Sequence, residues 1–395
     1  MPKYKYNYLI IGGGMTADSV VSGIREVDPD GSIGVISMEG DVPYDRPPLT
    51  KSLWKDKALE TIWRHTNKER VQFHLERTIE KIEVKNKGVI DSHGDVYNFE
   101  KLLLATGGRP RRLPFGGDEI IYYRTVADYR RLRGLTEKDK RFVVIGGGFI
   151  GSEIAASLAM NTKEVVMVFP GDGICDRIFP REMSQFLNKY YREKGVELLT
   201  NETVTGVEAR HAQLFLKTKS GKEIPGAGII AGLGIQPNVE LAQAAELKVE
   251  NGILVNEQLQ TSNPNIYAAG DVAQFFNPAL GKSIRVEHED NANTMGRMAG
   301  RNMAGRSEAY QHLPFFYSDL FDLGYEAVGE LDSRLEVFVD WKTEFREGVI
   351  YYLQNGRVRG VLLWNVWGKV DAARSLIAEP GPLKPNQLKG RIPLS

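Results

Sequence analysis

The sequence has very few cysteines, no net charge and no long apolar run. Its 395 residues include one cysteine, Cys175, which excludes an intrachain disulfide framework and a redox-active cysteine pair. No apolar run in the sequence reaches the roughly 20 residues of a membrane span. Lysine plus arginine and aspartate plus glutamate balance at 51 each, so no positive field attracts nucleic acid or an anionic bilayer. We therefore predict a small, locally recognised substrate.

The length and the two ends of the chain give further expectations. A chain of 395 residues exceeds the size at which one core keeps growing, which predicts two or three domains. The single thiol favours a reduced compartment, and no charged and apolar leader precedes the first strand-like run, Tyr8 to Gly12. We therefore expect a cytoplasmic location. The proline-rich segment Pro380 to Ser395 predicts a loosely held tail.

A strand, glycine turn and helix pattern opens the chain. The first apolar run ends in Gly12, Gly14 and Ala17, a helix-compatible stretch follows, and the next apolar run, Ile33 to Ser37, leads to Glu39. In this pattern the first glycine permits the turn, and the second lets the backbone approach a pyrophosphate at the helix N-terminus. The small third residue lets the helix pack closely on the strand, and the acid accepts hydrogen bonds from the adenosine ribose. The segment therefore predicts a dinucleotide site.

The same pattern recurs in the middle of the chain. Gly146, Gly148 and Gly151 end an apolar run, and a helix, Ser152 to Met160, and a strand, Val165 to Phe169, follow them. The sequence therefore predicts a second nucleotide fold.

The acid at the end of this second pattern is displaced by one residue. Gly171 occupies the position that corresponds to Glu39, and Asp172 follows it. Asp172 is the candidate for the ribose diol, and no arginine follows immediately to pair with a 2′-phosphate. The pattern therefore favours NADH over NADPH.

The remaining segments indicate crossovers and a further α+β region. Apolar strands ending in small residues, Leu102 to Gly108 and Ile229 to Gly234, mark predicted domain exchanges. From about Leu313 the composition becomes rich in aromatic residues and in predicted strands, with a predicted helix near the end. The predicted elements there are strands Glu336 to Trp341, Gly348 to Gln354 and Val358 to Trp364, and a helix from Val370 to Ile377.

The order of the motifs resembles the ferredoxin-reductase-like flavoproteins, and within them the apoptosis-inducing-factor branch. The resemblance covers nearly the whole chain. The motifs that carry it are Pro43 to Lys51, Ile266 to Asp271, Arg285 to Ala292, Tyr317 to Leu320, Gly324 to Gly329 and Gly360 to Asn365.

The resemblance implies an α/β fold with two Rossmann-like nucleotide-binding domains, one for FAD and an inserted one for NAD(H), plus a C-terminal α+β domain. The implied boundaries are residues 1–110 and 237–312 for the discontinuous FAD domain, 111–236 for the NAD(H) domain and 313–395 for the C-terminal domain.

Four residues match the flavin-binding motifs of that family. The resemblance implies that Arg46 and Lys51 contact FAD, that Lys51 pairs with Glu153 near the flavin N5, and that Asp271 binds the ribitol. An ammonium beside reduced flavin stabilises its negative charge, and a buried lysine needs a carboxylate partner. Outside this motif, Lys51 would be interpreted as a solvated surface lysine and Glu153 as a helix-capping or solvent-facing acid.

The nicotinamide side is implied in the same way. The resemblance places Phe149 and the Glu287–His288 pair at the nicotinamide ring, with hydride transfer from NADH to flavin N5. An ordinary core aromatic and a structural histidine are the alternatives. Tyr317 stands where the vertebrate members have tryptophan, and the segment from Ser333 to Gly348 lacks their long insertion.

The electron acceptor stays open in the sequence. A small ferredoxin or a quinone is a candidate partner, and an NADH-sensing protein that acts through a long-lived charge-transfer complex is the alternative from another class. The family makes a homodimer plausible. We predict no metal site, no nucleic-acid partner and an unreactive Cys175.

Overall fold

The computed structural model describes residues 3–211 and 213–394, and its elements follow the apolar periodicity of the sequence. The helices are α1 (Met15–Arg25), α2 (Val126–Lys138), α3 (Phe149–Met160), α4 (Arg181–Glu193), α5 (Glu240–Ala244), α6 (Glu289–Met303) and α7 (Val370–Ala378).

The strands form parallel and antiparallel sheets. They are β1 (Lys3–Ile11), β2 (Ile33–Ile36), β3 (Val71–His74), β4 (Ile79–Glu83), β5 (Gly88–Asp91), β6 (Val96–Leu104), β7 (Gly108–Pro110), β8 (Ile120–Tyr122), β9 (Arg141–Ile145), β10 (Glu164–Val168), β11 (Val196–Leu199), β12 (Val204–Arg210), β13 (Gln213–Thr218), β14 (Glu223–Gly226), β15 (Gly228–Ala231), β16 (Ile235–Pro237), β17 (Ile253–Leu254), β18 (Ile266–Ala268), β19 (Ala273–Asn277), β20 (Lys282–Arg285), β21 (Phe315–Leu320), β22 (Leu323–Gly329), β23 (Glu336–Thr343), β24 (Glu347–Gln354) and β25 (Arg357–Trp364).

The contacts within the chain divide it into two units. The first unit comprises Met1–Arg46, Glu60–Arg109 and Gln236–Pro314, and the second unit comprises Pro47–Leu59, Pro110–Ile235 and Phe315–Ser395. Both units combine parallel sheets with helices, and the predicted α/β fold class is confirmed. The division into three domains with the predicted boundaries stays a prediction.

The first unit contains a seven-stranded sheet in the order β3-β2-β1-β6-β5-β4, with β18 paired to β6. The strands β3, β2, β1, β6 and β18 run parallel. The short strands β2 and β18 are buried at every position, as is usual for the interior of a parallel sheet. Helices α1 and α6 pack closely against each other. A Cβ at Gly300 would lie 2.2 Å from the carbonyl oxygen of Val20, so only glycine allows this approach.

The second unit contains a five-stranded parallel sheet in the order β11-β10-β9-β15-β8. It also contains the antiparallel sheets β12-β13-β14 and β21-β22-β25-β24-β23. Buried aromatic rings pack beneath the larger antiparallel sheet: Trp364 stacks on Tyr325 at 5.8 Å and meets the edge of Phe179 at 5.8 Å. Such pairs stabilise a core beyond their buried area.

Two sequence-based expectations need correction. The helix expected from Ser152 begins earlier, at Phe149, because Gly148 is its N-cap and the helix starts directly at the glycine turn. The expectation of a loosely held tail was wrong. Leu388 and Ile392 are buried, and the backbone N–H of Gly390 donates to the carboxylate of Asp340 at 2.6 Å, so apolar burial and a charge-assisted hydrogen bond hold this segment.

Candidate active site

The first glycine turn, in the first unit, forms an open cradle at the N-terminus of α1. Gly12 adopts φ 115°, and a Cβ there would lie 2.1 Å from the carbonyl oxygen of Ala105, so the turn needs glycine. Gly14 is the N-cap and offers no side chain to the first N–H groups of α1. Among the described residues, only Arg46 Nη2 comes within 4.0 Å of the space that a Cβ at Gly14 would fill. A helix N-terminus without a capping side chain, together with a guanidinium, fits a pyrophosphate.

Glu39 follows β2 and is held by two neighbours. Its Oε2 accepts from the Tyr44 hydroxyl at 2.6 Å, and its Oε1 accepts from Arg46 Nη2 at 2.5 Å. A carboxylate has about four lone-pair sites, so it can still accept from a ribose diol. This donor set therefore fits the adenosine end of a dinucleotide. Ala17, one turn into α1, is fully buried, as close helix–strand packing requires.

Arg285 connects two of the predicted flavin-side residues of the first unit. Its Nη1 donates to the backbone carbonyl of Asp271 at 2.9 Å and pairs with Glu287 Oε1 at 2.7 Å. Its side chain is only 9% exposed, so it holds the two segments together within the protein interior. Sequence reasoning did not assign it a role, although it opens the motif that contains Glu287.

His288 is the N-cap residue of α6, directly after Glu287. Burial lowers the pKa of its imidazole to about 4, while the nearby carboxylates of Asp271 and Asp290 act in the opposite direction. Part of the residue remains accessible to solvent, so the ring is partly enclosed rather than sealed. A neutral imidazole both donates and accepts one hydrogen bond, which suits an orienting role beside an uncharged ring.

The second glycine turn, in the second unit, repeats the first cradle at the N-terminus of α3. Gly146 adopts φ 110°, and a Cβ there would lie 2.4 Å from the carbonyl oxygen of Gly232. A Cβ at Gly148 would meet nothing within 4 Å among the described residues, so the turn is open to a ligand. A Cβ at Gly151 would lie 2.0 Å from the carbonyl oxygen of Gly146, so the helix packs against the turn. This geometry fits a second pyrophosphate.

Lys51 and Glu153 form a buried ion pair in the second unit. Lys51 Nζ donates to Glu153 Oε1 at 2.8 Å, and the two side chains are 10% and 4% exposed. The hydroxyls of Thr50 and Ser318 also donate to this carboxylate, each at 2.5 Å. The Tyr317 ring centroid lies 5.2 Å from Lys51 Nζ, which adds a cation–π contact. The predicted pair is therefore present, with three partners that supply further contacts.

The segment that carries Lys51 is anchored to α3 and its surroundings. Ser157 Oγ donates to the Thr50 carbonyl at 2.7 Å, and the Tyr123 hydroxyl donates to the Leu49 carbonyl at 2.6 Å. These bonds fix the short 3₁₀ turn Pro47–Thr50 within the second unit. Lys51 consequently starts from a rigid backbone position.

Phe149 and Asp172, the other predicted coenzyme residues of the second unit, are partly exposed, whereas Cys175 is buried. Phe149 is partly exposed and meets the edge of the Phe316 ring, with centroids 5.1 Å apart. Asp172 follows β10, and its carboxylate pairs with Arg181 Nε at 3.7 Å. Cys175 is buried, and burial raises the pKa of its thiol to about 12, which agrees with an unreactive cysteine.

Comparison with known proteins identifies related chains over nearly the full length. The family model "pyridine nucleotide-disulphide oxidoreductase" matches residues 6–296, and the model "apoptosis-inducing factor, mitochondrion-associated, C-term" matches residues 299–342 and 339–379. Within residues 3–211 and 213–394, no helix combines the length and apolarity needed to cross a membrane.

The similar proteins include two curated relatives and one solved structure that match nearly all of this chain. Mitochondrial apoptosis-inducing factor 1 of Dictyostelium discoideum is 33% identical, over 98% of this chain and 81% of that one. Putidaredoxin reductase of Pseudomonas putida is 31% identical, over 97% of this chain and 94% of that one. The covalent putidaredoxin reductase–putidaredoxin complex matches with a TM-score of 0.90 and 31% identity, covering 97% of this chain and 95% of that one.

Proposed function

Because the chain belongs to the pyridine nucleotide-disulphide oxidoreductase family, in its apoptosis-inducing-factor-like branch, we propose that it transfers electrons from NADH to a small iron–sulfur protein of the ferredoxin type. It is an FAD-dependent NAD(P)H oxidoreductase. FAD, when bound, accepts two electrons from the coenzyme and releases them to the acceptor. The chain has one cysteine, and that thiol is buried, so disulfide reduction through a cysteine pair does not fit this member.

The first unit supplies the residues that we assign to FAD. The N–H groups after Gly14 and the Arg46 guanidinium would hold the pyrophosphate, and Glu39 would accept from the adenosine ribose. Asp271 would bind the ribitol. His288, with Glu287, would orient the nicotinamide as a neutral ring, because its pKa of about 4 leaves it uncharged at neutral pH.

The second unit supplies the residues that we assign to the coenzyme and to charge stabilisation. The turn formed by Gly146, Gly148 and Gly151 would hold the NADH pyrophosphate, and Phe149 would contact the nicotinamide ring. Lys51 would place its ammonium near the flavin N5, and Glu153 would keep that ammonium charged and oriented.

The acceptor is proposed from one observation: the similarity to putidaredoxin reductase extends over nearly all of both chains in sequence and in structure. The test is anaerobic reduction of the holoenzyme with NADH, followed by mixing with putidaredoxin, a soluble quinone or oxygen. We expect putidaredoxin to reoxidise the enzyme fastest and to be required for rapid reduction of cytochrome c. Faster reoxidation by the quinone or by oxygen would overturn the proposed acceptor.

A second candidate function is an NADH sensor, favoured by the match of the apoptosis-inducing factor C-terminal model. In that case the NADH-reduced protein would retain NAD⁺ and react slowly with every acceptor. Its sedimentation coefficient would also change on addition of NADH, which would reveal coenzyme-controlled association. A homodimer and a cytoplasmic location stay predictions, and sedimentation without coenzyme tests the first of them.

A further inference from the structure

The end of β10 lacks the acid that ends the corresponding strand of the first unit. There Glu39 stands near the end of β2, whereas Gly171 occupies the matching position after β10. The space beside Gly171 is already filled by a carboxylate. A Cβ at residue 171 would lie 2.1 Å from Asp176 Oδ2 and 3.2 Å from Asp176 Oδ1. Asp176 therefore reaches back from the following loop to the place where a strand-terminal acid would begin.

Hydrogen bonds to backbone groups hold the loop that carries Asp176 in place. Asn188 on α4 donates from Nδ2 to the Asp172 carbonyl at 2.8 Å and accepts the Ile174 N–H at 3.1 Å. The Cys175 N–H donates to the carbonyl of Gly147 at 2.8 Å, inside the second glycine turn. Asp176 is the next residue, so its position is tied to the turn that faces the coenzyme pyrophosphate.

The two aspartates of this loop differ in their surroundings. Asp172 is 42% exposed at its side chain and pairs with Arg181. Asp176 is partly buried, and among the described residues its carboxylate accepts no hydrogen bond. Its lone pairs are therefore available to a ligand that offers two adjacent hydroxyls.

Resting on the proposed NADH oxidoreductase function, we propose that Asp176 binds the 2′- and 3′-hydroxyls of the adenosine ribose and thereby selects NADH over NADPH. A carboxylate at this position accepts from the diol and repels a 2′-phosphate. The small residue at 171 is the condition for this arrangement, because a larger side chain would displace Asp176. Arg177 on this loop and Arg181, the first residue of α4, are exposed cations, and they would bind a 2′-phosphate if the coenzyme were NADPH.

The first test compares the Asp176→Asn and Asp172→Asn variants as holoenzymes. Calorimetric titration with NAD⁺ and with NADP⁺ gives the ratio of the two dissociation constants. We expect Asp176→Asn to weaken NAD⁺ binding about tenfold or more, because a hydrogen bond to a charged acceptor is lost. The ratio should shift towards NADP⁺, because the repulsion of the 2′-phosphate is lost as well. The matched control Glu182→Gln removes one exposed negative charge from the first turn of α4 and should leave the ratio within about twofold.

Several outcomes overturn the assignment. The same ratio in Asp176→Asn and wild type would do so, as would a larger shift in Asp172→Asn than in Asp176→Asn. Tighter binding of NADP⁺ than NAD⁺ by the wild type would assign the site to Arg177 or Arg181 instead. A different result would refute the proposed oxidoreductase function itself: no reduction of the wild-type flavin by NADH.

A second test moves the acid back to the strand end. The double variant Gly171→Glu with Asp176→Gly restores the usual arrangement and removes the collision, so we expect it to recover the NAD⁺ preference that Asp176→Gly alone loses. Rescue of a ligand preference separates ribose recognition from a purely structural role of the loop. Failure of the double variant to bind NAD⁺ better than Asp176→Gly, with FAD content unchanged, would contradict the proposal.

Discussion

Breaking the Lys51–Glu153 pair should lower the free energy of unfolding strongly, because its carboxylate is almost completely desolvated. The side chains are 10% and 4% exposed, so neither charge has water to compensate for a lost partner. Among the described residues, Lys51→Met leaves the Glu153 carboxylate with only the Thr50 and Ser318 hydroxyls as hydrogen-bond donors. Glu153→Gln leaves the ammonium with one amide oxygen and the Tyr317 ring. Removing one partner of a buried pair costs about 3–5 kcal/mol, and we expect each single variant to lose an amount in that range.

The double variant should lose less stability than the sum of the two single variants. With both Lys51→Met and Glu153→Gln in place, no unpaired charge remains in the interior, so we expect a coupling free energy of about 2–3 kcal/mol. Urea unfolding of the FAD-free protein, followed by tryptophan fluorescence, measures it. One of the five tryptophans, the buried Trp54, lies close to Lys51 in sequence, and its indole donates to the Leu49 carbonyl at 2.8 Å, so this segment contributes to the signal.

A neighbouring exposed pair provides the matched control. Lys55 Nζ lies 3.6 Å from Asp319 Oδ2, and these side chains are 45% and 37% exposed. Surface pairs contribute about 0–1 kcal/mol, so the cycle Lys55→Met with Asp319→Asn should show little coupling. Coupling below about 1 kcal/mol for Lys51 and Glu153, or equal coupling in both cycles, would refute the argument that desolvation makes this pair strong.

Three further predictions concern single residues. Glu39→Ala should weaken FAD binding about tenfold to a hundredfold in fluorescence titrations of the apoprotein, since it removes a charged acceptor, and unchanged affinity would exclude Glu39 from the site. Cys175 should resist thiol reagents at pH 8 and react at once in urea, because burial raises its pKa to about 12. Burial lowers the pKa of His288 from 6.5 to about 4. Below about pH 6.5 the unfolded chain therefore takes up a proton that the folded protein does not, and the free energy of unfolding should fall as the pH drops towards 4. An NMR titration against His288→Gln checks this, and a midpoint near 6.5 would contradict it.

Both nucleotide folds could be predicted because their signal is local. The glycine turns follow directly from apolar strands and open helices, so a short window of sequence contains the strand, the turn and the helix N-terminus. The predicted strands after Leu313 agree with β23, β24 and β25 to within two residues. The start of α3 was misplaced by three residues because a glycine N-cap carries no polar side-chain signal.

The surroundings of the site depend on contacts that are distant in sequence. The Lys51–Glu153 pair was expected only from the family resemblance, and Ser318, which completes the carboxylate's hydrogen bonds, is 165 residues from Glu153. Arg285 was part of a recognised motif, yet its link to Asp271 depends on the fold of β20 beside the 3₁₀ turn Gly270–Val272. No spacing rule reveals such partners, because hydroxyls and guanidinium groups are common and only the fold selects among them.

The two glycine turns show why a motif identifies a ligand class more securely than a particular ligand. Both turns need glycine for the same steric reason, a close carbonyl oxygen opposite Gly12 or Gly146, and both leave helix N–H groups for a pyrophosphate. The residue that distinguishes one dinucleotide from another lies outside the turn, where the strand ends. After β2 that residue is Glu39, three positions beyond the strand. After β10 the available carboxylate belongs to Asp176, five positions beyond the expected acid at Gly171. Coenzyme selection is therefore a property of loop geometry, and a substitution that redirects this loop should alter NADH preference while the pyrophosphate cradle persists.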